Sequence, residues 1–139
     1  MRQTKQTKQL VLPDTSVWIS YFRNRNAPLV SRMEAVLMQD RVAMNGIILA
    51  ELIQGLKNES EKNTLVQLLS ALHVLEMPFT QWEQVGDISS QLRRKGITVP
   101  LTDIAIAANA IRNEALVMTF DAHFQQVPGL SLELWIQEQ

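Results

Sequence analysis

Short apolar segments alternate along this chain with longer segments whose apolar residues recur at helical spacing. The short segments are typical of buried strands, and the longer ones have the three-to-four-residue period of amphipathic helices. The predicted strands are 10–12, 41–45, 74–77, 115–119 and 130–134. The predicted helices are 15–24, 27–39, 46–56, 60–72, 82–95 and 102–113. This alternation predicts an α/β fold, a three-layer sandwich in which helices flank a central, mostly parallel sheet.

The composition indicates one globular domain. A chain of 139 residues that is 46% hydrophobic can bury a core of its own. The chain has no cysteine, which excludes a disulfide scaffold and any thiolate metal site. No apolar run approaches the roughly 18 residues of a membrane span, and the polar start of the chain does not read as a secretory signal. We therefore expect a cytoplasmic protein with a flexible polar tail over residues 1–9 and a single domain over 10–139.

The charge balance argues against an indiscriminate polyanion binder, because the formal net charge is −1. Positive charge is nevertheless local. Arg23 and Arg25 form one basic cluster, and Arg93, Arg94 and Lys95 form another. A solvated surface explains either cluster taken alone, and both are candidates for contact with a nucleic-acid backbone.

Four carboxylates lie in segments that are otherwise apolar. They are Asp14 within 11–18, Glu51 within 47–53, Asp103 within 99–106 and Asp121 within 117–124. Asp14 and Asp121 each follow a predicted strand, so parallel strands would bring both to the same edge of the sheet. Taken singly, these two could cap helices, and Asp103 could complement a helix dipole from the first turn. Glu51 lies in the middle of a helix, where a capping role is unavailable.

A shared divalent cation would explain these four acids together. A carboxylate buried without a partner costs several kcal/mol, and basic residues are scarce near all four. His123 is the nearest in sequence, and we take it as a partner or surface residue rather than as a metal ligand. Hard oxygen ligands favour Mg²⁺ or Mn²⁺ over zinc. Gly55, one turn after Glu51, costs about 1 kcal/mol inside a helix and suggests close approach of another group there.

The four acidic motifs resemble those of the PIN-domain family of metal-dependent ribonucleases, especially the VapC-type toxins of bacterial toxin–antitoxin pairs. The matching segments are Leu12–Ile19, Ala50–Gly55, Pro100–Ala108 and Met118–Phe124. Each motif alone is weak, but the four occur in the family's order. The resemblance extends from Leu10 to about Trp135, which is almost the whole chain.

The resemblance implies an endoribonuclease that hydrolyses RNA phosphodiester bonds with water as the attacking group. It implies that Asp14, Glu51, Asp103 and Asp121 are the catalytic, metal-binding quartet for Mg²⁺ or Mn²⁺, with Thr15 and Thr119 as supporting hydroxyls. It also implies a homodimer that a cognate antitoxin neutralises. Apolar residues that could form an interface are Met33, Met38, Leu65, Leu68 and Leu72.

Two other functions remain to be weighed. One is a catalytically silent scaffold that keeps the fold. The intact quartet argues against it, and a measurement of divalent-metal binding would separate a metal-free scaffold from the nuclease. The other is a Mg²⁺-binding phospho-acceptor receiver domain. That function requires an acceptor Asp after a middle strand and a Lys after a later one. The chain has Met44-Asn45 and Thr119-Phe120 at those places.

Overall fold

The computed structural model of the protein describes residues 8–137, and five parallel strands organise them into a sheet. The strands are β1 (Val11–Pro13), β2 (Ala43–Met44), β3 (His73–Val74), β4 (Leu116–Thr119) and β5 (Leu132–Leu134). β1 pairs with β4, β4 with β5, and β2 with β3, all in parallel. An isolated parallel bridge between Val11 and Val42 joins the two groups. The spatial order is therefore β3-β2-β1-β4-β5, and the predicted parallel α/β sheet is confirmed.

Six α-helices connect these strands in the described residues. They are α1 (Thr15–Arg23), α2 (Ala27–Met38), α3 (Gly46–Gln54), α4 (Glu59–Ser70), α5 (Phe79–Arg94) and α6 (Leu101–Arg112). A short 3₁₀ helix, Ala122–Gln126, follows β4. Crossovers between parallel strands are almost always right-handed, and the chain reverses its direction of travel after β3. Helices consequently cover both faces of the sheet.

Side-chain caps determine where four of the α-helices begin. Asp14, Asn26, Asn45 and Asn58 each accept a hydrogen bond from a backbone N–H in the first turn of the helix that follows. Each cap satisfies a donor that has no partner within the helix. Capping by Asp14 thus starts α1 directly after β1, which holds this acid at the end of the strand.

Helix α6 lies between the sheet and α5, which explains its nearly continuous apolar sequence. Ile106, Ala107 and Ala110 pack into the main core beneath the sheet. Ile104, Ala105 and Ala108 pack with Val85, Leu92 and Val99 in a second cluster against α5. Small alanine side chains allow close packing on both sides. The orientation of α6 is therefore set by two cores, and so is the position of Asp103 in its first turn.

Three expectations from the sequence need correction. Gly55 is the C-cap of α3 at φ −86°, and a Cβ there would meet only the Leu52 carbonyl oxygen at 3.6 Å. No neighbouring group therefore demands a glycine. Met33 and Leu65, expected at an interface, are buried in the core, because their helix faces pack on the sheet. The third predicted strand, 74–77, is shorter and begins one residue earlier.

Two further expectations concern the ends of the chain and its environment. Of the predicted tail, residues 1–7 lie outside the described range. Within residues 8–137, no helix combines the length and the apolar character that crossing a bilayer requires.

Candidate functional site

The strand order reverses between β1 and β4, and the candidate site lies at that point. From β1 the chain moves outward through β2 to β3 and then crosses back to β4 on the other side of β1. In open parallel sheets the carboxyl ends of two such strands leave a crevice where ligands bind. Asp14 directly follows β1, and Asp121 follows β4 by two residues. Both acids therefore lie at the same edge of the sheet, as strand direction predicts.

Asp14 is the most deeply placed acid of the site, with 5% of its surface exposed. Its Oδ1 accepts hydrogen bonds from the Ser16 hydroxyl at 2.6 Å and from the Val17 N–H at 3.1 Å. Its Oδ2 accepts from the Thr119 hydroxyl at 2.5 Å. Burial raises the pKa of the Asp14 carboxyl; these three hydrogen bonds oppose the rise, and the charge of Asp121 adds to it. The side chain is thus held firmly in an environment that disfavours its negative charge.

Thr119 links the two acids that follow the strands. It is fully buried at the end of β4, and besides donating to Asp14 it accepts a 2.9 Å hydrogen bond from the Asp121 N–H. One hydroxyl thereby fixes a side chain after β1 and the backbone after β4. Thr119 thus contacts Asp14 directly, and its role as a supporting hydroxyl stays a prediction.

Asp121 caps the 3₁₀ helix and contacts His123 twice. Its Oδ1 accepts a 2.9 Å hydrogen bond from the His123 N–H and lies 3.0 Å from Nδ1 of the same residue. Both side chains are partly exposed, with 38% and 55% of their surface open to solvent. This acid is therefore at the open rim of the crevice, whereas Asp14 is at its floor.

Glu51 reaches the site from the middle of α3. Its Oε1 accepts a 2.8 Å hydrogen bond from the hydroxyl of Thr15, the first residue of α1. The side chain is half-buried, so this bond orients a carboxylate that has no capping duty. The Thr15 hydroxyl therefore donates to the Glu51 carboxylate in the same way that the Thr119 hydroxyl donates to the Asp14 carboxylate.

Asp103 enters from the first turn of α6. The pKa of its carboxyl is raised from 3.8 to about 6, chiefly by burial. Neighbouring charges act in addition: the carboxylates of Asp121, Asp14 and Glu51 raise this pKa, and His123 lowers it. Ligand atoms of Asp103 and Asp121 lie within 4.8 Å of each other, and Thr119 joins Asp14 to Asp121. Together with the effect of the Glu51 charge on Asp103, these contacts bring the four predicted acids to one region.

The donor set fits a divalent cation. Ligand atoms of Asp103, Asp121 and His123 all lie within 4.8 Å of one another. Within residues 8–137, no lysine or arginine forms an ion pair with any of the four acids. Crowded carboxylates without cationic partners are the environment in which a bound cation lowers the free energy most. His123 was not among the site residues taken from the sequence; its spacing of two residues after a strand-end Asp is the signal that could have identified it.

The predicted basic clusters form no ion pair with the four acids in residues 8–137. Arg23 and Arg25 line a cavity of about 810 Å³ whose wall includes Ser16, the residue that donates to Asp14. Arg93 and Arg94 line a second cavity, of about 550 Å³, together with Leu101 at the start of α6. Lys95 is exposed at the C-cap of α5. Arg23 and Arg25 therefore share a cavity with a residue that bonds to Asp14, whereas the cavity of Arg93 and Arg94 is lined by none of the four acids.

Comparisons with known proteins agree with this architecture. A model of the PIN domain family matches residues 11–130. Ribonuclease VapC11 of Mycobacterium tuberculosis is 30% identical over 126 residues, which cover 88% of this chain and 94% of that protein. Ribonuclease VapC2 of Rickettsia felis is 26% identical over 127 residues, covering 88% of this chain and 95% of that protein.

Solved structures show the same similarity in three dimensions. VapBC-1 from nontypeable Haemophilus influenzae matches with a TM-score of 0.77 and 26% identity, over 91% of this chain and 98% of that chain. DNA-bound VapBC from Salmonella typhimurium matches with a TM-score of 0.75 and 26% identity, over 92% of this chain and 99% of that chain.

Proposed function

This chain belongs to the PIN domain family, and on that premise we propose that it is a divalent-metal-dependent endoribonuclease, the toxin of a toxin–antitoxin pair. The observation that carries the proposal is the convergence of four carboxylates from four separate segments at one crevice, without a lysine or arginine ion pair in the described residues. The names of the similar proteins, ribonucleases of the VapC type, support the same function.

The proposed site residues have distinct tasks. Asp14, Glu51, Asp103 and Asp121 would hold Mg²⁺ or Mn²⁺. When bound, such a cation neutralises phosphate charge and activates water. The hydroxyls of Thr15 and Thr119 keep the Glu51 and Asp14 carboxylates in fixed orientations through bonds of 2.8 and 2.5 Å. In the proposed hydrolysis, a water oxygen forms a bond to phosphorus as the bond between phosphorus and O3′ breaks, and a water proton passes to O3′. One product would therefore carry a 5′-phosphate and the other a 3′-hydroxyl.

Binding of RNA is assigned to the two basic clusters. Arg23 and Arg25 line a cavity that Ser16 also lines, and Ser16 bonds to Asp14, beside the proposed place of the scissile phosphate. Arg93, Arg94 and Lys95, at the end of α5, are further proposed contacts for the backbone. Single-stranded or loop RNA suits such an open crevice better than an A-form duplex, whose deep groove is narrow. A substrate of this kind would be met in the cytoplasm.

The cognate antitoxin is proposed to act at the same crevice. Solved VapBC structures are among the similar proteins. A basic side chain that entered the crevice would pair with the carboxylates and would exclude both cation and substrate. Co-expression with the product of the adjacent gene tests this, because a true antitoxin both forms a complex and relieves toxicity.

A homodimer is the proposed assembly. Of the apolar residues named from the sequence, Met38 and Leu68 are exposed. Val74, Phe79, Trp82 and Leu101 expose further apolar surface around α5 and the start of α6. Sedimentation at micromolar concentration tests this part of the proposal, and a monomer there would contradict it.

The central experiment measures RNA cleavage by purified protein with and without EDTA. Asp103→Asn, Asp14→Asn and Glu51→Gln should each lower the cleavage rate on the order of a hundredfold, since each removes a charged ligand. Asp87→Asn, at an exposed position of α5, removes the same charge away from the site and should leave the rate unchanged. Cleavage that persists in excess EDTA would contradict the proposal. Metal binding without cleavage would instead favour the silent scaffold.

A further inference from the structure

His123 is held over the acidic site by a local turn. The 3₁₀ helix that follows Asp121 brings the His123 N–H to 2.9 Å from Asp121 Oδ1. The same turn places the ring atom Nδ1 at 3.0 Å from that oxygen. His123 therefore contacts the Asp121 carboxylate through both its backbone N–H and its imidazole ring.

The spacing of these atoms matches two neighbouring ligands of one cation. For an octahedral ion with ligands at about 2.1 Å, adjacent ligand atoms lie about 3 Å apart, close to the separation of Nδ1 and Oδ1. Asp103 completes a group of three whose ligand atoms lie within 4.8 Å of one another. Both His123 and Asp121 are partly exposed, so water molecules can complete the coordination sphere.

The nitrogen changes which cation the site prefers. Mg²⁺ takes oxygen ligands almost exclusively, whereas imidazole suits first-row transition metals. A site of carboxylates alone discriminates little between Mg²⁺ and Mn²⁺, because both are bound well by oxygen. A single imidazole ligand adds affinity for Mn²⁺ and very little for Mg²⁺.

We infer that His123 is a direct nitrogen ligand of the divalent cation and that it biases this site toward Mn²⁺ over Mg²⁺. The inference rests on the proposed function, because it assigns a further residue to that same site. The competing arrangement is a hydrogen bond or ion pair between His123 and Asp121 in which the ring never touches the metal.

Pulsed electron paramagnetic resonance of the full chain with bound Mn²⁺ at pH 7.5 separates these arrangements. A directly coordinated imidazole couples its ¹⁴N nucleus to the Mn²⁺ electron spins. The chain has two histidines, which gives a matched control. His123→Ala should abolish the ¹⁴N coupling. His73 contacts Asp40, which is not one of the four site acids, so His73→Ala should retain the coupling.

Binding isotherms for MnCl₂ and MgCl₂ supply the second measurement. His123→Ala should weaken Mn²⁺ binding on the order of tenfold or more, with a much smaller effect on Mg²⁺. His123→Asp substitutes an oxygen ligand and should lower the ratio of Mn²⁺ to Mg²⁺ affinity without abolishing either. An unchanged ratio in both variants would overturn the inference.

The outcomes distinguish the inference from the function it rests on. Mn²⁺ that binds to the wild type without ¹⁴N coupling overturns the role of His123, and EDTA-sensitive cleavage would still support the nuclease. A wild-type chain that binds neither cation overturns both.

Discussion

The hydroxyl of Thr119 donates a 2.5 Å hydrogen bond to Oδ2 of Asp14, although 105 positions separate the two residues in sequence. The pair spans the reversal in strand order, because Asp14 directly follows β1 and Thr119 ends β4, its parallel neighbour. The same hydroxyl accepts from the Asp121 N–H. A small buried side chain thereby couples the two strand ends that form the floor and the rim of the site.

Thr119→Val should impair the site by removing this hydroxyl at nearly constant volume. Two polar groups lose a partner, so the free energy of unfolding should fall by about 1–3 kcal/mol. The Asp14 carboxylate loses one of the hydrogen bonds that oppose its raised pKa, so the acidic limb of the cleavage profile should move to higher pH. The measurement is kcat/KM against pH. Thr119→Ser keeps the hydroxyl and should retain the wild-type profile; a shift of equal size in both variants would contradict this account.

Asp103 should make the metal-free protein less stable as the pH rises. Its pKa is raised from 3.8 to about 6, so between these values the folded state binds more protons than the unfolded state. Linkage then requires the free energy of unfolding to decrease with pH across that window and to level off above it. Melting temperatures are measured in EDTA from pH 4 to pH 8. The melting temperature of Asp103→Asn should rise relative to that of the wild type as the pH increases through the window. Parallel curves for the two proteins would contradict the raised pKa of Asp103.

Added Mg²⁺ or Mn²⁺ should reverse that loss above pH 6. A cation that binds only the folded state stabilises it in proportion to the logarithm of its concentration over Kd, which is about 2.7 kcal/mol at 100 times Kd. Thermal melts of the wild type and Asp103→Asn at pH 7.5 check this. The wild type should gain with cation concentration and the variant should gain far less, whereas equal gains would show that binding occurs elsewhere.

Asn45 should stabilise the two helices that carry Glu51 and Asp103, although it is not itself a site residue. It caps α3 through Ile48 N–H at 3.0 Å, and its Nδ2 donates to Oδ1 of Asn109 in α6 at 3.0 Å. It thus joins the helix that carries Glu51 to the helix that carries Asp103. Asn45→Ala should cost about 2–4 kcal/mol, from a lost cap and an unpaired buried carbonyl.

A matched cap provides the control for Asn45. Asn58 caps α4 with the same geometry at an exposed position, and Asn58→Ala should cost about 1 kcal/mol without affecting cleavage. Urea denaturation gives the free energies. Equal costs for the two variants would argue against a role for the buried contact with Asn109.

Arg23 and Arg25 should contribute to the salt dependence of RNA binding. In an Asp103→Asn background, the double variant Arg23→Ala, Arg25→Ala should reduce the slope of log K against log salt by about 1.4, since each single-strand phosphate contact contributes about 0.7. The control is the double variant Lys57→Ala, Arg112→Ala, which removes the same charge from two exposed positions, one after α3 and one at the end of α6. Equal slopes in the two double variants would remove the RNA assignment from Arg23 and Arg25.

The sequence by itself determined the order of strands and helices and the candidate acids, for local physical reasons. Helical periodicity and capping residues such as Asn45 act over a few positions, so they can be read from neighbours alone. The four acids stood out because a carboxylate such as Glu51 among apolar residues requires a compensating partner.

Only the tertiary structure decided which groups meet. The hydrogen bond from Thr119 to Asp14 depends on the parallel pairing of β1 with β4, and the Thr15–Glu51 bond depends on how α1 packs against α3. The burial of Met33 and Leu65 likewise depends on contacts made across the fold. Spacing along a chain constrains neighbours within a few residues, whereas distances across a crevice are set by how the strands are ordered and how the helices pack on them.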